Sequence, residues 1–145
     1  MPQLLRDVAT SAAPLVAEEG ISVKESAKGL RLPRARIGVG SRLLVGSLVI
    51  LPGRLLAAIG DNTFLDTDLR PAENANANLE VAADGVRISF DVADIESRAS
   101  GSVAIHFRLA IESTTLASLP TAACPVALTD AYAALLASWG GNYSA

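Results

Sequence analysis

Apolar and polar positions alternate with a period of two along most of this chain, and the departures from that rhythm locate its centre. Residues 41–60, SRLLVGSLVILPGRLLAAIG, are the longest apolar run, and Pro52-Gly53 cuts it into two pieces of strand length. Residues 43–51 are rich in Leu and β-branched side chains with no polar alternation, the pattern of a strand covered on both faces. Residues 54–60 return beside it, so the run predicts a buried hairpin. Spanning a bilayer as a helix takes roughly 20 apolar residues, and the nine of 43–51, followed by Pro-Gly-Arg, fall short.

Before the hairpin, Leu4, Leu5, Val8 and Ala12 share one helical face, which predicts a short helix. Pro14 breaks it near Ala13, and a restart to Gly20 makes residues 1–20 an N-terminal helical segment. Residues 21–27 read as a first strand, with Ile21 and Val23 on one face and Lys24 on the other. In residues 30–39 the apolar phase slips at Pro33, between Leu30 and Leu32 on one side and Ala35, Ile37 and Val39 on the other. A bulge at Pro33 keeps both sets on one face of an edge strand and turns Arg31, Arg34 and Arg36 outward.

After the hairpin, residues 63–69 form a further strand and residues 71–77, PAENANA, a loop. The alternation is clearest next: Leu79, Val81 and Ala83, a turn at Asp84-Gly85, then Val86, Ile88, Phe90 and Val92, a tight hairpin. Val103, Ile105, Phe107, Leu109 and Ile111 define a seventh strand. Residues 121–128 are ambiguous, being restricted by Pro120 and Pro125. Thr129 or Asp130 caps a final helix in which Tyr132, Leu135, Leu136 and Trp139 make one stripe, with Gly140 as its stop.

Length and composition fit a single domain over residues 1–145 with a core built mainly from Leu, Val, Ile and Ala, because aromatics are only 4% of the chain. Such a core is expected to pack without stacked rings. A single cysteine excludes an internal disulfide and a cysteine-based zinc site. No positively charged start leads into an uninterrupted apolar stretch, so a cytoplasmic protein is expected. Ten Arg against two Lys, with abundant Ala, point to a GC-rich bacterial source.

Charge is divided unevenly: −2 over residues 1–23, +6 over 24–54 and −7 over 55–145. A basic segment in an acidic chain attracts an anionic partner or balances the remainder. Other chemistry is sparse. His106 falls on the outward phase of its strand, and Cys124 has no second cysteine beside it. Asp66 with Asp68, and Asp91, Asp94 and Glu96, lack the spacing of a calcium loop. Residues 38–41 lack the lysine of a phosphate loop, and no aromatic and basic residues interleave as in nucleic-acid binders. No metal, cofactor or nucleic acid is expected.

Four strands, a loop, three strands and a C-terminal amphipathic helix carrying Trp139 resemble the pleckstrin homology (PH) superfold, including bacterial PH-like and GRAM domains, over residues 21–139. The resemblance implies a mainly β, antiparallel sandwich or barrel of about seven strands with a capping C-terminal helix. The N-terminal helix and the connection over residues 112–129 depart from that pattern. Phosphoinositide-binding members carry a Lys near the end of the first strand and a basic-x-Arg pair on the second, and Lys28, Arg34 and Arg36 are similar in spacing. With Arg31 they form the candidate anion-binding set.

The expected function is that of a non-catalytic interaction module, peripheral to the membrane, docking on an anionic lipid surface or a protein partner through its basic strand. One alternative is a β-barrel enzyme or carrier holding a small apolar ligand beneath residues 43–51 and 103–111. Another is a scaffold that forms homo-oligomers through a strand edge.

Overall fold

The computed structural model describes residues 1–33, 35–119 and 123–143, with side chains as far as Trp139. Strand pairing dominates the chain. The described residues form helix α1 (Gln3–Ser11), strands β1 (Val16–Leu32), β2 (Ala35–Leu51), β3 (Arg54–Ile59), β4 (Asn62–Asp68), β5 (Ala77–Ala82), β6 (Gly85–Asp91) and β7 (Ser100–Arg108), then helix α2 (Ser113–Leu116), strand β8 (Cys124–Val126) and helix α3 (Tyr132–Tyr143). The eight strands make one antiparallel sheet in the order β4-β3-β2-β1-β7-β6-β5-β8.

The sheet curls until its ends nearly meet. Just beyond β8, the Thr129 N–H donates to the Phe64 carbonyl of β4 at 2.9 Å and the Thr129 hydroxyl to the Thr63 carbonyl at 2.8 Å. One residue earlier, the Leu128 N–H donates to Asn76 Oδ1 at 2.8 Å, tying the same segment to the approach to β5. Near-closure removes most of the open edge that an eight-stranded sheet would otherwise present.

The interior is filled by side chains. Phe64 and Phe107 stack with centroids 6.0 Å apart, Tyr132 lies against Phe64 at 5.7 Å, and Phe90 meets Tyr132 edge-on at 5.0 Å. Few aromatics were therefore enough for an aromatic cluster, contrary to the expectation from composition, because all three Phe residues and Tyr132 converge on one point. Gly46 makes room for it. A Cβ there would come within 2.7 Å of Phe107 Cε2 and of Val23 Cγ2.

α3 covers this interior with the stripe foreseen in the sequence: Tyr132, Leu135, Leu136 and Trp139 are all buried. It runs past Gly140 to Tyr143, so that glycine is not its stop. α1 covers the opposite side of the sheet. Leu5 is fully buried against Val49, Leu56 and Ala58, on the face of β2 and β3 that points away from the interior.

Three expectations are corrected. Residues 16–20 are strand rather than restarted helix, because pairing with β2, from the Leu15 N–H on the Ile50 carbonyl onward, satisfies their backbone. Pro33 is not a bulge within one strand: Leu32 pairs with Ala35, so the chain reverses there and residues 30–39 belong to two strands. The slip of phase comes instead from bulges around Gly29 and Gly38, whose φ values of 60° and 72° suit glycine. Finally, β8 adds an eighth strand in the segment that read as ambiguous.

Candidate functional site

The β1–β2 hairpin is longer than its neighbours. β3 pairs with β2 only from Gly46 onward, so residues 35–45 project as an arm bonded to β1 on one side. Register assigns the faces. Arg42 and Leu44 turn inward, whereas Val39, Leu43 and Val45 turn outward at 82%, 69% and 64% exposure. These three continue a stripe whose other half, Val49 and Leu51, lies beneath α1. One apolar stripe is thus half covered and half bare, and the reading of residues 43–51 as buried on both faces holds only from Gly46 to Ile50.

Cations flank the bare half. Lys24 lies directly opposite Leu43, and Lys28 falls in the bulge facing Val39. Arg31 and Arg36 are direct cross-strand partners near the tip, both exposed. Like charges in that relation, with Cα atoms about 4.5–5.5 Å apart, destabilise a sheet. Arg34 lies outside the described residues. Arg108 of β7 completes the outer row through Ser22 and Val45.

Every other described arginine has an acid. Arg54 holds Asp66 in a two-pronged contact of 2.8 and 2.9 Å, which raises the guanidinium's pKa above its usual value. Arg70 pairs with Asp68, Arg87 with Asp84 and Arg6 with Glu19. Arg98 bonds Glu96 at 3.0 Å, holding that carboxyl below its usual range. Among the described residues, Lys24, Lys28, Arg31, Arg36 and Arg108 have no ion pair within 4.0 Å.

The root of the arm is fixed from inside. Glu25, fully buried on β1, accepts from Arg42 Nε at 2.6 Å and from the Tyr132 hydroxyl of α3. Arg42 also donates to Ser138 Oγ and to the Leu135 carbonyl, both at 2.8 Å, and its guanidinium lies 4.4 Å from the centre of the Trp139 ring. Burial, then the neighbouring Glu25 charge, pushes the Tyr132 phenol well above its ordinary pKa. Buried at Glu25, Tyr132 and Trp139 and open to solvent at Ser138, this cluster fastens α3 to the arm.

The sequence-level chemistry resolves into structure elsewhere. Asp66 and Asp68 are engaged by arginines, and no group of three or more His, Cys, Asp or Glu residues suited to a metal occurs among the described residues. His106 Nε2 lies 3.1 Å from the Asp84 carbonyl oxygen, and Cys124 is buried in β8. The row Ser26, Ala104, Ser89, Asn78 and Pro125 crosses five strands and floors a polar groove of about 580 Å³, with Lys28, Asp91 and Asp94 at one end. No described helix is long and apolar enough to cross a membrane. Comparison with protein-family models, curated proteins and solved structures returned no match.

The candidate set is thus partly assembled: Lys28, Arg31 and Arg36 share the outer face of the arm, joined by Lys24 and Arg108. Sequence reasoning missed the apolar half of the site. Its signal was Gly38, since a glycine within a strand marks a bulge and a change of face for Val39.

Proposed function

We propose that this protein is a non-catalytic, PH-like module that docks on anionic membrane surfaces through the outer face of its β1–β2 arm. The observation carrying this reading is the bare apolar row Val39, Leu43 and Val45 bordered by five cations that lack an acidic partner among the described residues. Exposed apolar side chains enter the interfacial layer while Lys and Arg meet lipid phosphates, a combination neither feature supplies alone. Anionic headgroups also relieve the repulsion between Arg31 and Arg36. The element order, with α3 packed over the sheet, supports the PH resemblance, and β8 is an addition to it.

Vesicle co-sedimentation tests the reading. Each Lys or Arg near an anionic surface contributes about 1 kcal/mol, so Arg31→Ala/Arg36→Ala is expected to weaken binding roughly thirtyfold. Binding to vesicles containing phosphatidylserine should fall as salt rises and be absent on neutral vesicles. Equal binding to both kinds of vesicle, or an unaffected double variant, contradicts it. An apolar ligand inside the barrel finds less support, since the Phe64, Phe90, Phe107 and Tyr132 cluster occupies the interior.

A further inference from the structure

β1 and β7 separate at one end of the sheet. Their pairing stops at Ser22 with Arg108. Beyond it, residues 16–21 stay with β2, whereas the chain after Arg108 keeps to the other side, where the Ile111 N–H donates to the Ala83 carbonyl at 3.0 Å. A slot of about 530 Å³ opens between them, walled by residues 15–21 and by residues 109–112 with Thr115.

Bonds already made fix the direction of the backbone in both walls. The Ile50 carbonyl faces β1, since it accepts from the Leu15 N–H at 2.8 Å. β2 pairs with β3 without a shift from Gly46 to Leu51, so direction alternates regularly: Leu48 and Ile50 face β1 and Val49 faces β3. Ala17, the partner of Val49, therefore turns its N–H and carbonyl away from β2 and into the slot. Ile111 is bonded on the far side of its wall, so the adjoining Ala110 turns its own groups inward. Both alanines are exposed, and among the described residues no backbone bond meets either of them in the slot. Such an edge is a template for another strand.

Side chains say which strand. Leu15, Val16 and Leu109 line the slot and pack on the interior cluster. Glu18 and Glu112 line it as well, exposed and without an ion pair among the described residues, whereas Glu19 holds the Met1 ammonium at 3.3 Å. No described Lys, Arg or His lines it.

We infer that the slot binds an extended segment of a partner protein, antiparallel to β1 and carrying the pattern basic-x-apolar. The middle residue exchanges two backbone bonds with Ala17. Its predecessor then falls opposite Glu18, where a Lys or Arg is matched, and its successor opposite Val16, where an apolar side chain is. The slot lies at the end of β1 away from the arm tip, so this inference goes beyond membrane docking and stands whether or not lipid binds.

Titration of the isotope-labelled full chain with the blocked peptide Ser-Gly-Lys-Thr-Val-Gly-Ser, followed by NMR, tests this. The amide signals of Ala17, Glu18 and Ala110 are expected to shift together and to saturate. Replacing Lys by Glu in the peptide should weaken binding roughly tenfold. Glu18→Lys should do the same to the Lys peptide, and the two changes together should restore binding. N-methylation of the peptide's Thr removes the donor to the Ala17 carbonyl and should abolish binding. Ala17→Pro, which deletes an N–H on the open side and leaves the β1–β2 ladder whole, should abolish it too; the N-methyl peptide decides the matter if that variant fails to fold.

An absence of shifts at millimolar peptide, equal binding of the Lys and Glu peptides, or full binding of the N-methyl peptide overturns the inference. So do shifts confined to the arm.

Discussion

Glu25 shows how one side chain can be half legible in a sequence. It sits on the inward phase with Ile21, Val23 and Ala27, so an acid in the core was readable from alternation. Its partner was not, because the pairing of Glu25 with Arg42 depends on the turn at Pro33 and on two bulges. Truncating Arg42 to Ala leaves that carboxylate buried without its cation, which costs about 3–5 kcal/mol. Urea unfolding of Arg42→Ala is expected to show that loss, and a change below 1 kcal/mol would mean that Glu25 finds another way to be satisfied. Tyr132 gives a test by pH. Its folded pKa lies above the unfolded value near 10, so its contribution to stability is complete below that value and is lost as pH rises through the folded one. Of the two tyrosines, one is therefore expected to resist ionisation in absorbance at 295 nm until the fold gives way. Tyr132→Phe should remove that late step.

At the scale of elements, the apolar stripe of β2 is divided between α1 and solvent. Leu5 closes the covered half, and Leu5→Ala should cost about 2–5 kcal/mol in chemical unfolding while leaving the bare half unchanged. Trp139→Ala removes the largest side chain that α3 buries and should cost about 3–5 kcal/mol. A loss limited to α3 would appear as early hydrogen exchange of that helix with the strands still protected. The β5–β6 hairpin, β7 and the α3 stripe were legible because each repeats its period over enough residues to declare a face. β8 was not, since three residues, Cys124-Pro125-Val126, carry no period and a proline argues against a strand. It forms at an edge, where Pro125 faces Asn78 and the carbonyls of Pro125 and Val126 accept from Ala72 and Asn76. The hairpin turn at Pro33 was hidden for a different reason: a bulge and a reversal both interrupt alternation in the same way.

For the whole molecule, the class was legible and the closure was not. Alternation showed an antiparallel, mainly β chain ending in a helix, but the bonds from Thr129 to β4 connect residues more than sixty positions apart and depend on how the sheet twists. Net charge by segment located the basic arm, while the bare apolar row beside it required the faces to be known. The docking proposed for this protein requires this row to enter the lipid interface. The most direct measurement places an environment-sensitive fluorophore at Leu43→Cys in a Cys124→Ala background, with a second label at Glu73→Cys in the loop before β5 as reference, and adds vesicles with and without phosphatidylserine. A blue shift at position 43 on anionic vesicles at low salt, reversed by salt and absent at position 73, is the expected result. An unshifted spectrum at position 43 while the chain sediments with the vesicles would place the docking face elsewhere and contradict the claim.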